Sequence, residues 1–342
     1  MPVVLGYYPA YEGFNEASIP WDRFTHVCHA FITSDKQGQI ETNDKVPSRS
    51  LTERAARHDT PVILSVGGWG DADGFEMATS SPEKMASWVE DLTQIVVEYG
   101  YAGVDVDWEF PKDESTKQRF TQLVRAIRSS FDRVTTTTGM RLLITSAVTA
   151  RPAEGKWIDG PALEGAIDFL NVMTYDFSGP FTAVASHHTP LFGSPEDPES
   201  AWRSTQAAMA YWEETQGFPR SKLNVGIPLY GRKFPLRQPY TATSGARAAG
   251  FGTPTYRQIL KLIDAGWTLK QDAHAKAPWI LAPQGELGIV AFDDEASARR
   301  KAEWARSQGY RGIFFWAIGH DSLPEGRFPL LDASIAGWQG AE

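Results

Sequence analysis

The chain has 342 residues, 42% hydrophobic and 22% charged, the proportions of an ordinary globular protein, and no apolar run approaches the roughly 20 residues of a membrane span. Its net charge of -9 excludes nucleic acid as a natural partner and fits a neutral or basic ligand. Cys28 is the only cysteine, so an intrachain disulfide is excluded as well. The chain enters strand-like sequence at Val3, with no charged and apolar leader before it; a cytosolic protein and a secreted one with its leader removed are both left open. Strand-like runs follow at Val3–Tyr8, Thr25–Ile32, Pro61–Gly67, Gly103–Phe110, Arg141–Thr149, Phe169–Asp176, Leu223–Tyr230 and Gly312–Ile318. Most are continuously apolar, as parallel strands covered on both faces should be. Helix-like stretches lie between them. Ser81-Pro82-Glu83 reads as a cap, a first-turn proline and a first-turn acid, closed by Gly100. Lys117–Phe131, Glu199–Gln216 and Glu295–Gln308 (capped by Asp294, ended by Gly309) read as further helices.

Eight strands alternating with helices predict an α/β fold, a (β/α)8 TIM barrel forming one domain over residues 1–342. A doubly wound sheet is the runner-up, but no Gly-x-Gly-x-x-Gly follows the first strand. Residues 233–287 are too many for a plain connection, so they read as a small insertion subdomain between strands 7 and 8. It holds helix-like Tyr256–Ala265 and the run Lys276-Ala-Pro-Trp-Ile-Leu.

One segment breaks the pattern of apolar strands. In Tyr101-Ala-Gly-Val-Asp-Val-Asp-Trp-Glu-Phe-Pro111, Asp105, Asp107 and Glu109 share one parity, and Val104, Val106, Trp108 and Phe110 the other. A strand points alternate residues to one face, so the acids form a row at roughly 6.5 Å per step. Strands disfavour Asp and isolated buried carboxylates are costly. A solvated sheet face, a metal site and a glycosidase carboxylate set all satisfy the pattern. Three acids this close cannot all ionise comfortably, so protons are shared and at least one pKa is raised. Glu109, the outermost, can give a proton to a leaving-group oxygen.

Other strand ends narrow the choice. Asp105-Val-Asp107-Trp-Glu109 resembles the Asp-x-Asp-x-Glu signature of glycoside hydrolase family 18, the chitinase family. Gly6-Tyr7-Tyr8, Ser65-Val-Gly67-Gly68-Trp69, Met173-Thr-Tyr175-Asp176, Pro228-Leu-Tyr230-Gly231-Arg232 and Phe315-Trp316 resemble that family's strands 1, 3, 6, 7 and 8, in order. The resemblance implies hydrolysis of β-1,4-N-acetylglucosamine linkages in chitin and chitooligosaccharides, with the substrate's own acetamido oxygen as nucleophile. Glu109 is then the general acid and base, and Asp107 orients the acetamido group. Asp105 shares a proton with Asp107, and Tyr175 donates to the acetamido carbonyl. It places Trp316 beneath the sugar, Asp176 and Met173 beside it, Tyr230 and Arg232 beyond it, and Tyr7 and Ser65 under the row. Trp69, Trp108, Trp157 and Trp279 are candidates for outer subsites. No cofactor or metal is implied; His187 and His188 read as loop residues. The expected protein is a monomer with no nucleic-acid or membrane partner, acting on a substrate that favours secretion. An endo-β-N-acetylglucosaminidase acting on N-glycans and a non-catalytic chitin-binding lectin are the alternatives.

Two departures from the family pattern carry expectations. Ala102 stands where an aspartate is usual, which predicts altered packing rather than lost activity. His29 stands where an aromatic is usual; pointing inward, it would lie near Asp105 and shift the acidic limb of the pH profile. The insertion is shorter than in many relatives, which predicts a shallower groove and endo cleavage.

Overall fold

The computed structural model describes residues 2–243 and 250–340. Eight parallel strands form the centre: β1 (Val3–Pro9), β2 (His26–Ser34), β3 (Val62–Gly67), β4 (Gly103–Asp107), β5 (Leu143–Thr149), β6 (Phe169–Met173), β7 (Leu223–Pro228) and β8 (Gly312–Trp316). Each pairs with the next, and β8 pairs back to β1, so the sheet closes into a barrel with no free edge. All eight expected strands are present. Several end earlier than their apolar runs: β4 stops at Asp107 and β6 at Met173.

Strand parity divides the core into two layers. Leu5, Tyr7, Cys28, Ile63, Phe169 and Phe314 point into the barrel. Their neighbours, among them Val104 and Val106, pack outward against the helices Pro82–Tyr99 and Glu114–Thr138. Ser81 caps the first of these through the Lys84 amide, and Gly100 ends it in a left-handed conformation. Ala102 sits below this layer boundary, its backbone joining Val62 to Leu143, away from the acids.

The helix expected from Glu199 begins at Thr205, with Ser204 as its cap. Residues 197–203 fold as a turn instead, because Asp197 takes the Glu199 amide and the Arg203 guanidinium. Between β7 and β8 the chain forms a four-stranded antiparallel sheet, in the order Arg232–Phe234, Ile289–Ala291, Ala277–Leu281, Thr268–Asp272. It therefore draws on Arg232 and on Ile289–Ala291, either side of segment 233–287. The helix Tyr256–Asp264 belongs to the same segment and opens with a capping box between Thr255 and Gln258. Residues 244–249 of the segment lie outside those described. No described helix is long and apolar enough to cross a membrane.

Candidate active site

The register of the barrel sets donors around Asp105. Ser65 and Thr145 are its direct partners on β3 and β5. Their hydroxyls donate to Asp105 Oδ2 at 2.8 Å and Oδ1 at 2.6 Å. Tyr7 from β1 donates to Oδ2 at 2.8 Å, and Asn171 Nδ2 from β6 reaches Oδ1 at 3.4 Å. Burial pushes the Asp105 carboxyl up, and these four donors pull it only part of the way back, so it stays raised. Burial and the nearby Asp105 charge push the Tyr7 phenol well up, so Tyr7 keeps the proton it donates.

Asp107 is different. It is 3% exposed, and its Oδ1 has no hydrogen-bond partner among the described residues. Burial, then the charges of Glu109 and Asp105, hold its carboxyl well above the carboxylate range. No hydrogen bond joins it to Asp105, so the proton sharing expected between them has no bond to carry it in this conformation.

Glu109 lies past the end of β4, which corrects the expectation that all three acids ride one strand. The last rung of the β3–β4 ladder is the Gly68 amide donating to the Asp107 carbonyl at 2.9 Å. Gly67 and Gly68 make that approach possible. Both have positive φ, and a Cβ on Gly67 would collide with the Asp107 carbonyl. The Glu109–Phe110 peptide is cis. Burial, then the charge of Asp176, push the Glu109 carboxyl up to about 8. Glu109 is thus a protonated acid at neutral pH, beside an unpartnered carboxyl.

From the ends of β6 and β7 come Tyr175, Asp176, Tyr230 and Arg232. Arg232 holds Asp176 through two parallel bonds of 2.6 and 2.5 Å. His188 Nδ1 stands 3.5 Å from the same carboxylate. Burial alone would raise Asp176, but His188 and Arg232 together hold it well below its ordinary value. Asp176 takes a left-handed φ of 57°. Tyr175 and Tyr230 meet edge to face, and the Tyr175 hydroxyl has no bonded partner among the described residues. Met173 packs half-buried among the same inner side chains.

Aromatic rings line the mouth. Trp316 lies between Tyr7 (centroids 5.6 Å apart) and Phe31 (5.7 Å, stacked), and Phe31 continues onto Tyr11. Trp69 is 84% exposed beside the Gly67–Gly68 turn. Trp108 is buried against Phe75 and Phe120 in the outer layer, Trp279 packs under the small sheet, and Trp157 lies beneath the Lys156 ammonium.

His29 points outward, away from Asp105. It hydrogen-bonds Tyr101 at 2.8 Å and stacks on Tyr8, and Cys28 takes the inward position of β2. The expectation that His29 tunes the acid row is therefore overturned. Thr145, Asn171, Phe31, Tyr11 and His188 were not singled out as site residues from sequence, though Thr145 and Asn171 have the inward parity of their strands.

The family model of glycosyl hydrolases family 18 matches residues 3–321. The class V chitinase CHIT5 of Lotus japonicus is 29% identical, over 93% of this chain and 83% of that protein. Chitinase 1 of Aphanocladium album is 26% identical over 91% and 80%. The crystal structure of the Ostrinia furnacalis Group IV chitinase, in complex with allosamidin, superimposes with a TM-score of 0.89 at 27% identity, covering both chains fully. The closed barrel, the acid row at the end of β4 and a family match over almost the whole chain place this protein in glycosyl hydrolase family 18.

Proposed function

We propose that the protein is an endo-acting chitinase that hydrolyses β-1,4-N-acetylglucosamine linkages in chitin and its oligosaccharides, with retention of configuration. The observation that carries this reading is the buried, unpartnered Oδ1 of Asp107 beside a Glu109 that holds its proton at neutral pH. A retaining hydrolase of the common kind needs a second carboxylate free to attack the sugar. Asp176 is tied to Arg232, and Asp105 is sealed beneath the row by its donors. Neither is free to serve as a nucleophile, and membership of family 18 implies that the acetamido oxygen of the substrate takes that role, with Asp107 orienting it.

In this mechanism Glu109 protonates the departing glycosidic oxygen. Asp107 accepts the acetamido N–H at its unpartnered oxygen and holds the group for attack, giving an oxazolinium ring. Tyr175 donates to the acetamido oxygen and helps align its attack, while Trp316 supports the distorted sugar from below. Glu109, now a carboxylate, then takes a proton from the incoming water. The shared chemistry of the named chitinase relatives supports the choice of substrate. An insoluble polymer substrate fits an enzyme working outside the cell.

The test is Glu109→Gln on a defined chitin hexamer. Loss of a general acid should lower turnover by about 10²- to 10⁴-fold while hexamer binding stays nearly unchanged. Turnover close to wild type would refute the assignment.

A further inference from the structure

We infer that Asn171 and Asn224 are positioning residues, forming a directed amide relay that holds Asp105 as an ionised carboxylate beneath Asp107. The inference rests on the function proposed above for its catalytic meaning, but its structural claim stands on the geometry of the barrel floor.

The direction of the relay follows from proton counting. The single hydroxyl proton of Tyr7 goes to Asp105 Oδ2. The Tyr7 oxygen can then only accept, and Asn171 Nδ2 donates to it at 3.0 Å while reaching Asp105 Oδ1 at 3.4 Å. The Asn171 amide nitrogen must therefore face the acid and its oxygen must face away. That oxygen accepts Asn224 Nδ2 at 2.9 Å, from the cross-strand register partner on β7. Turned over, Asn171 would set its oxygen against a carboxylate and an occupied phenol oxygen, and oppose its own NH₂ to that of Asn224. Asn171, Asn224 and Asp105 are all fully buried, so no solvent relieves such a clash. Asn224 sustains the arrangement at a penalty, because its own Oδ1 is buried with no partner among the described residues.

The relay completes a set of four donors, two on each Asp105 oxygen, which leaves no lone pair free for a proton from Asp107. The titratable groups facing Asp105 are Tyr7 from β1, Cys28 from β2 and Asp107 from its own strand. The strands β3, β5, β6 and β7 present only neutral Ser65, Thr145, Asn171 and Asn224, and β8 sets Phe314 against Tyr7. Asp105 thus acts on Asp107 through a fixed negative charge. The mobile proton of the row stays with Asp107 and Glu109, next to the substrate.

The experiment compares wild type with Asn224→Leu, Asn171→Leu and the smaller Asn171→Ser, which keeps the question open should the leucine not fold. Two readouts are taken: the ¹³Cγ titration of Asp105 in the free protein, and the pH dependence of kcat and KM on a chitin hexamer. In the wild type, Asp105 should show the ionised shift across the neutral range. Each variant should raise its titration point, and move the acidic limb of kcat/KM toward neutrality, by about one pH unit. Asn224→Leu, which leaves every donor to Asp105 in place, should act less strongly than either Asn171 variant. The reduction should fall on kcat with KM nearly unchanged. An Asp105 titration identical in all proteins overturns the relay. If the wild type fails to cleave chitin oligomers, the proposed function falls, while the titration still decides the relay.

Discussion

Asp105 and Asp107 stand two residues apart on one face of one strand, equally cut off from water, and the barrel treats them oppositely. At the floor, Asp105 receives donors from four other strands. At the mouth, Asp107 has a buried oxygen with no partner, and Glu109 beyond it is pushed up to about 8. A buried carboxyl without donors is a standing cost to stability, and native structures keep few such groups. The barrel has the means to satisfy a carboxylate at this depth, as Asp105 shows. On the proposed function, the unsatisfied oxygen of Asp107 at the mouth is where a substrate supplies the missing contact.

The contrast can be attacked from the rim inward. Glu109→Gln strikes the mouth itself and should have the largest effect. Next is Trp69, which projects into solvent at the mouth and touches neither acid. Trp69→Ala should raise KM on the hexamer roughly three- to tenfold with kcat nearly unchanged, as loss of a stacking surface does. A fall in kcat of the same size would instead place Trp69 in the chemistry. The smallest effect is expected from His29→Phe. His29 lies behind β2 against Tyr101, and burial pushes its imidazole down to about 3, so it stays neutral over the working range. Its replacement should leave the pH–activity profile unmoved, whatever it does to stability; a displaced acidic limb would mean that the outer layer reaches the acids.

Much of the site was legible because strand parity is a strict code. Alternation at 104–109 placed Asp105 and Asp107 on one face, and the ends of β1, β3, β6, β7 and β8 carried the remaining residues in order. What escaped had particular physical causes. The segment His26-Val-Cys28-His29-Ala30-Phe31 offers residues of mixed polarity on both parities, so its inward face is settled by tertiary packing. The last rung on β4, from the Gly68 amide to the Asp107 carbonyl, joins residues far apart in sequence, and no local pattern announces it. Thr145 and Asn171 occupy inward positions that look like ordinary packing until Asp105 is seen between them. The helix at Thr205 starts late because Arg203 and Asp197 hold the preceding turn, and that pairing is not visible as periodicity.

The account stands most directly on the proton held at Glu109, so the decisive measurement is the alkaline limb of kcat/KM on a soluble chitin oligomer. The limb is to be recorded for wild type and for Asp176→Asn. A general acid must be protonated to act, so activity should fall as pH rises through about 8 in the wild type. The Asp176 charge helps raise Glu109, and removing it should move the limb to lower pH, apart from any loss of rate. Activity already lost above about pH 5, where an ordinary glutamate is ionised, or a limb unmoved by Asp176→Asn, would contradict the account.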